Sequence, residues 1–90
     1  MKICKRCVIS GRVIGVFYRR WLQKKAIELG ITGWTRNLPT GEVECVLSGE
    51  ASVVDDMVAV LWKGPPAASV KNVTVEEAPL ETFSSFEILR

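Results

Sequence analysis

The apolar positions change their period twice in the first thirty residues. Ile3, Cys4, Cys7, Val8 and Ile9 crowd a short run broken by Lys5 and Arg6, which predicts a strand over 3–9 with one exposed face. A loop follows from Gly11. Tyr18, Leu22, Ala26 and Leu29 then recur at steps of four, four and three, with Arg20, Gln23, Lys24 and Glu28 on the other side. That spacing predicts an amphipathic helix, and Gly30 suits its end. Residues 31–38 predict a second strand and Pro39-Thr40-Gly41 a tight turn. Val43, Cys45 and Leu47 alternate with Glu44, Val46 and Ser48, so a third strand returns as the other arm of a hairpin. Ser52-x-x-Asp55 predicts a capping box opening a second helix with Val54, Met57, Val58, Leu61 and Trp62 as its stripe, ended by Gly64-Pro65-Pro66. Val70 to Glu76 alternates as a fourth strand, and Phe83 to Leu89 adds a short terminal one.

The order is βαββαβ, for which the usual solution is an α+β, ferredoxin-like sandwich: an antiparallel sheet with two helices packed on one face. In that arrangement the first and third strands are central antiparallel neighbours. The alternation places Cys7 with Ile9, and Cys45 with Val43 and Leu47, on the helix-covered face, so Cys7 and Cys45 are expected close together. Trp21, Trp34, Trp62 and Phe83 read as core or core-edge aromatics, and Tyr18 as core by its helical register.

Composition narrows the class. Ninety residues that are 48% hydrophobic and 24% charged suit one compact domain, 1–90, with a modest core. A formal charge of +2, with the basic residues spread along the chain, gives no footprint for nucleic acid. No run approaches the roughly 20 apolar residues of a membrane span, and Lys5 and Arg6 spoil the N-terminus as a signal peptide. The expected location is the cytoplasm. Cys4-x-x-Cys7 lacks a second such pair, any histidine partner and an adjoining helix start, so neither zinc nor redox chemistry is expected of it. No metal site and no cofactor is expected.

The candidate chemistry lies between the first strand and the first helix, in GRVIGVFYRR, Gly11 to Arg20. Helix N-termini carry unpaired backbone N–H groups, and a glycine-containing loop can curl successive N–H groups into a concave nest for an anion. Arg19 adds a planar fork of donors suited to phosphate or carboxylate. The spacing matches neither the Walker loop nor the dinucleotide fingerprint. Arg12 and Arg20 read as solvated charges, with Arg12 adding positive potential near the loop.

GRVIGVFYR resembles the first signature of the acylphosphatase family, G-R/H-V-Q-G-V-x-F/Y-R. GWTRNLPTGEVE, Gly33 to Glu44, resembles its second, G-x-x-x-N-x-x-x-G-x-V-E. LWKGPPAASV and the closing FEILR are also similar to the family. The resemblance implies the same βαββαβ fold, and hydrolysis of an acyl phosphate to a carboxylate and inorganic phosphate. It implies that Arg19 binds phosphate and that Asn37 positions the attacking water. Backbone N–H groups of Ile14, Gly15, Val16, Phe17 and Tyr18 would hold the phosphate oxygens. Ile14 stands where the family usually has Gln, and Thr35 where Val is common. If the first position acts through its backbone, Ile serves nearly as well.

This chemistry suits a chain with no histidine. The leaving group is a stable carboxylate, so neither a strong general acid nor a metal is as necessary as it is for a phosphate ester. The implied partners are a small acyl phosphate and inorganic phosphate, with no nucleic acid, no membrane and a monomeric chain. The alternative is a non-catalytic ferredoxin-like module that binds phosphate or protein. RNA is disfavoured, because GEVECVLSG in the third strand lacks the stacking aromatics of RNA-recognition domains.

Overall fold

The computed structural model describes residues 1–89. Its elements are β1 (Lys2–Arg12), α1 (Tyr18–Glu28), β2 (Thr32–Asn37), β3 (Val43–Glu50), α2 (Ala51–Leu61), β4 (Ser69–Ala78) and β5 (Phe86–Ile88). They form one five-stranded sheet in the order β4-β1-β3-β2-β5. The pairs β1–β4, β1–β3 and β2–β3 are antiparallel, and β5 adds to β2 in parallel. The ferredoxin-like arrangement is therefore present, with the terminal strand making the sheet mixed. Arg90, the last residue of FEILR, lies outside the described residues.

This topology decides where a site can form. Because β3 runs against both β1 and β2, the strands β1 and β2 point the same way, and β5 points with them. The ends of all three therefore emerge on one edge, and α1 starts there as it leaves β1. The helix packs over β2 and β5, while α2 covers β1 and β3. Between helices and sheet lies the core: Cys7, Ile9, Val13, Val16, Tyr18, Leu22, Ala26, Ile31, Val43, Cys45, Leu47, Val54, Met57, Leu61, Val73 and Phe86.

Cys7 and Cys45 are direct partners across β1 and β3, both fully buried, and both are free thiols. The hydrogen bond to Cys7 and burial push the Cys45 thiol up. Tyr18 is buried and donates its hydroxyl to the Leu61 carbonyl at 2.6 Å, tying the start of α1 to the end of α2. Burial raises its phenol further.

Several local expectations are corrected. The loop expected from Gly11 is shorter, because a register shift after Ser10 lets β1 continue through Gly11 and Arg12 against β4. The Ser52–Asp55 capping box does not form: β3 runs to Glu50 and α2 begins at once, so Glu50 takes the N-cap position. Asp55 instead pairs with Lys5 at 3.0 Å, and the Ala51 amide donates to the Met1 carbonyl. Leu29 and Trp62 fall at the C-caps, beyond the last helical turns, and are exposed. Phe86, which the pattern did not single out, joins Tyr18 as a core aromatic, whereas Phe83 is only half-buried.

The polar side of β3 is also buried, for two reasons. The chain from β4, at one edge, must cross the open face to reach β5 at the other. The Ser48 hydroxyl donates to the carbonyl of Glu81 in that crossing. Glu44, only 3% exposed, is held between Arg36 at 2.6 Å and Arg6 on the neighbouring strands. Burial alone would raise its carboxyl pKa, but the Arg36 and Arg6 hydrogen bonds outweigh it and hold the group below its usual value. A depressed pKa stabilises the fold above the ordinary carboxylate range and loses that contribution as pH falls through the lowered value. Glu44→Gln is thus expected to cost about 1–3 kcal/mol near neutral pH. In urea denaturation the gap from wild type should narrow in acid, and a gap independent of pH would contradict this account.

Candidate active site

A glycine and a residue in an unusual conformation build the loop at the emerging end of β1. Gly15 has φ of 74°, a region that glycine enters without strain, and no other part of the protein approaches the position its Cβ would take. Phe17 has φ 60° and ψ 26°, left-handed backbone that a bulky side chain rarely adopts. It is the N-cap of α1, and no side chain caps that helix. Val13 and Val16 anchor the loop by entering the core on either side of Gly15.

Its amides have no partner within the loop. Among the described residues, no N–H of Ile14, Gly15, Val16 or Phe17 donates to another backbone carbonyl or to a side chain. The first turn of α1 contains no acidic residue, so the positive end of the helix is not neutralised. None of the ion pairs among the described residues uses Arg12, Arg19 or Arg20. Arg6 and Arg36, by contrast, are committed to Glu44.

A cleft of about 500 Å³ opens at this end, lined by Val13, Gly15, Phe17, Tyr18, Arg19, Arg20, Asn37 and Ile88. Arg19 comes from the first turn of α1 and Asn37 from the last position of β2. The topology brings them together across 18 residues of sequence. Asn37 is exposed, and its side-chain amide is in none of the hydrogen bonds among the described residues. Its position is held by pairing with Val43 and by the turn beyond, where Leu38 donates to the Glu42 carbonyl at 2.8 Å.

Gly33, at the other end of β2, opens the second signature for a steric reason. A Cβ there would lie 1.9 Å from the Val46 carbonyl oxygen, so only glycine lets β2 and β3 close to their observed separation. Two residues later, Thr35 donates its buried hydroxyl to the Glu44 carbonyl at 2.9 Å. A hydroxyl where the family commonly has Val is thereby satisfied.

The positions read from sequence do not all enter the cleft. Gly15, Phe17, Tyr18, Arg19 and Asn37 line it, while Val16 turns inward and Ile14 stands exposed outside the lining. Ile88 was missed. Its only sequence signal is an apolar residue in a short terminal run, and its proximity comes from the parallel pairing of Ile88 with Thr35. Arg20 lines the cleft as an exposed charge.

The sequence profile of the acylphosphatase family matches residues 5–88. The chain belongs to the acylphosphatase family. It is 50% identical over 88 residues to an acylphosphatase of Acaryochloris marina, covering 98% of this chain and 95% of that one. The structure of an acylphosphatase from Coxiella burnetii is similar with a TM-score of 0.94 at 43% identity, covering 98% of this chain and 93% of that one. The acylphosphatase of Bacillus subtilis gives the same TM-score of 0.94 at 30% identity, with both chains fully covered. Membership carries the family's hydrolase activity on acyl phosphates.

Proposed function

We propose that residues 1–90 act as one acylphosphatase domain that cleaves the carboxyl–phosphate bond by in-line attack of water, with Arg19 and Asn37 as its catalytic side chains. The observation that carries this reading is one cleft lined by Arg19, Asn37 and the loop residues Gly15 and Phe17, in a loop whose amides have no backbone partner among the described residues. Phosphoryl transfer asks a protein mainly for positioning and charge stabilisation. Arg19 and the amides of Ile14, Gly15, Val16, Phe17 and Tyr18 hold the non-bridging oxygens and oppose the charge that develops on them. The role given to Ile14 is that of its backbone N–H, which has no backbone partner among the described residues.

Asn37 accepts from the attacking water through its carboxamide oxygen and can donate through its NH₂, which aims a water lone pair at phosphorus. It is no base at neutral pH, so the proton passes to a phosphate oxygen of the substrate. The new bond is water oxygen to phosphorus. The bond that breaks joins phosphorus to the bridging oxygen, which leaves as part of the carboxylate. No step uses a metal, and among the described residues no three His, Cys, Asp or Glu side chains group as ligands. A monomeric chain in the cytoplasm is consistent with this chemistry, and no described helix is long and apolar enough to cross a membrane.

Hydrolysis in ¹⁸O-enriched water tests the route. Attack at phosphorus puts the label in phosphate and leaves the carboxylate unlabelled. Label in the carboxylate would mean attack at the acyl carbon and would overturn the role given to Asn37.

A further inference from the structure

The cleft has a second chemistry that phosphate does not use. Phe17 is 78% exposed at its rim, although Val16 and Tyr18 on either side of it are buried. Its left-handed backbone holds the ring out of the core, in a conformation unfavourable for a bulky residue. Ile88 stands in the same lining, brought there by the parallel pairing of β5 with β2. Leu89, also partly exposed, continues this wall in the adjoining depression that shares Arg19 and Asn37. A phosphate group bound to Arg19 and the loop amides uses the polar donors of the cleft. The remaining lining is apolar, apart from Arg20 and the Asn37 assigned to water.

We infer that Phe17 and Ile88 form an acyl-group subsite selecting acyl phosphates whose acyl part is an uncharged chain or ring. This rests on the hydrolytic reading above and adds to it a substrate class. The group entering between these side chains leaves water for apolar contact, which is favourable in proportion to area, so longer and aromatic acyl groups gain where an acetyl group gains little. Arg20 is the one lining group that would favour the opposite class, acyl groups ending in a carboxylate.

The test compares kcat/KM for acetyl, butanoyl, benzoyl and succinyl phosphate in wild type, Phe17→Asn and Ile88→Ser. Asparagine tolerates the left-handed backbone and removes the ring. Ile88→Ser removes apolar surface without altering the loop. Wild type is expected to prefer benzoyl and butanoyl over acetyl and succinyl phosphate. Each substitution should lower the benzoyl-to-acetyl ratio by about tenfold, the order of discrimination that a small change of apolar contact provides. The inhibition constant of inorganic phosphate, which has no acyl group, reports the state of the loop. If Phe17→Asn also loses phosphate affinity, the ratio in Ile88→Ser decides. A ratio unchanged in Ile88→Ser, or a wild type that prefers succinyl over butanoyl phosphate, would overturn the assignment. Failure of wild type to hydrolyse any of the four would instead overturn the hydrolytic reading itself.

Discussion

Arg19→Ala is expected to lower kcat/KM for a simple acyl phosphate by roughly 10³–10⁵-fold, the range found for an arginine on a transferring phosphoryl group. The loss should appear in binding and in rate together. Arg19 lies in the first turn of α1 and lines the cleft beside amides that have no other partner. In the proposed mechanism it meets the phosphate in the ground state and meets more charge in the transition state. The inhibition constant for inorganic phosphate should rise in parallel, because phosphate presents the same oxygens. Arg19→Lys should recover only part of the loss. A lysine restores the charge without the planar fork that engages two oxygens at once. Full recovery by lysine would reduce the role of Arg19 to its charge.

Asn37→Ala is expected to act differently. Its carboxamide sits at the end of β2, fixed by the Val43 pairing and the Leu38–Glu42 hydrogen bond, with no intramolecular task for the side chain among the described residues. Truncation should leave the backbone in place and remove the group that aims the water. The expected cost is roughly 10²–10³ in kcat, the scale of one preorganised hydrogen-bonding group. The phosphate inhibition constant should move by less than about threefold, because water and not phosphate is the partner. A similar loss of phosphate affinity in Asn37→Ala and Arg19→Ala would contradict the separate roles. Thermal unfolding of both variants at the wild-type midpoint would exclude a general loss of fold as the cause.

The parts of this architecture that could be read in advance are those with a strong local period. Tyr18, Leu22 and Ala26 announce α1, and all three are buried. The alternation through Val43, Cys45 and Leu47 announces β3 and correctly sets Cys45 against Cys7. What escaped depends on pairings distant in sequence. Glu44 and Ser48 occupy the polar side of an alternating strand, and only a crossing chain and two arginines from neighbouring strands bury them. A three-residue strand such as β5 has too few positions to display a period, and nothing local says that it runs parallel to β2. That pairing is what places Ile88 in the cleft and Phe86 in the core.

The site follows the same division. Arg19 and the loop are contiguous in sequence, so a glycine-containing turn before an amphipathic helix was enough to suggest an anion. Asn37 gives no local sign beyond a residue before a turn, and its link to the loop came from the resemblance of two separated motifs. The topology supplies the physical reason for that link. Parallel directions of β1 and β2, with β3 between them, deliver the first loop and the end of β2 to one edge of the sheet.

The most direct measurement is phosphate release from benzoyl phosphate in the presence of a chelator, for wild type, Arg19→Ala and Asn37→Ala. Hydrolysis by wild type that the chelator leaves undiminished, and that both variants lose by the margins given above, is the predicted result. Folded wild type that releases no phosphate, or whose activity the chelator abolishes, would contradict catalysis by Arg19, the loop amides and Asn37 alone.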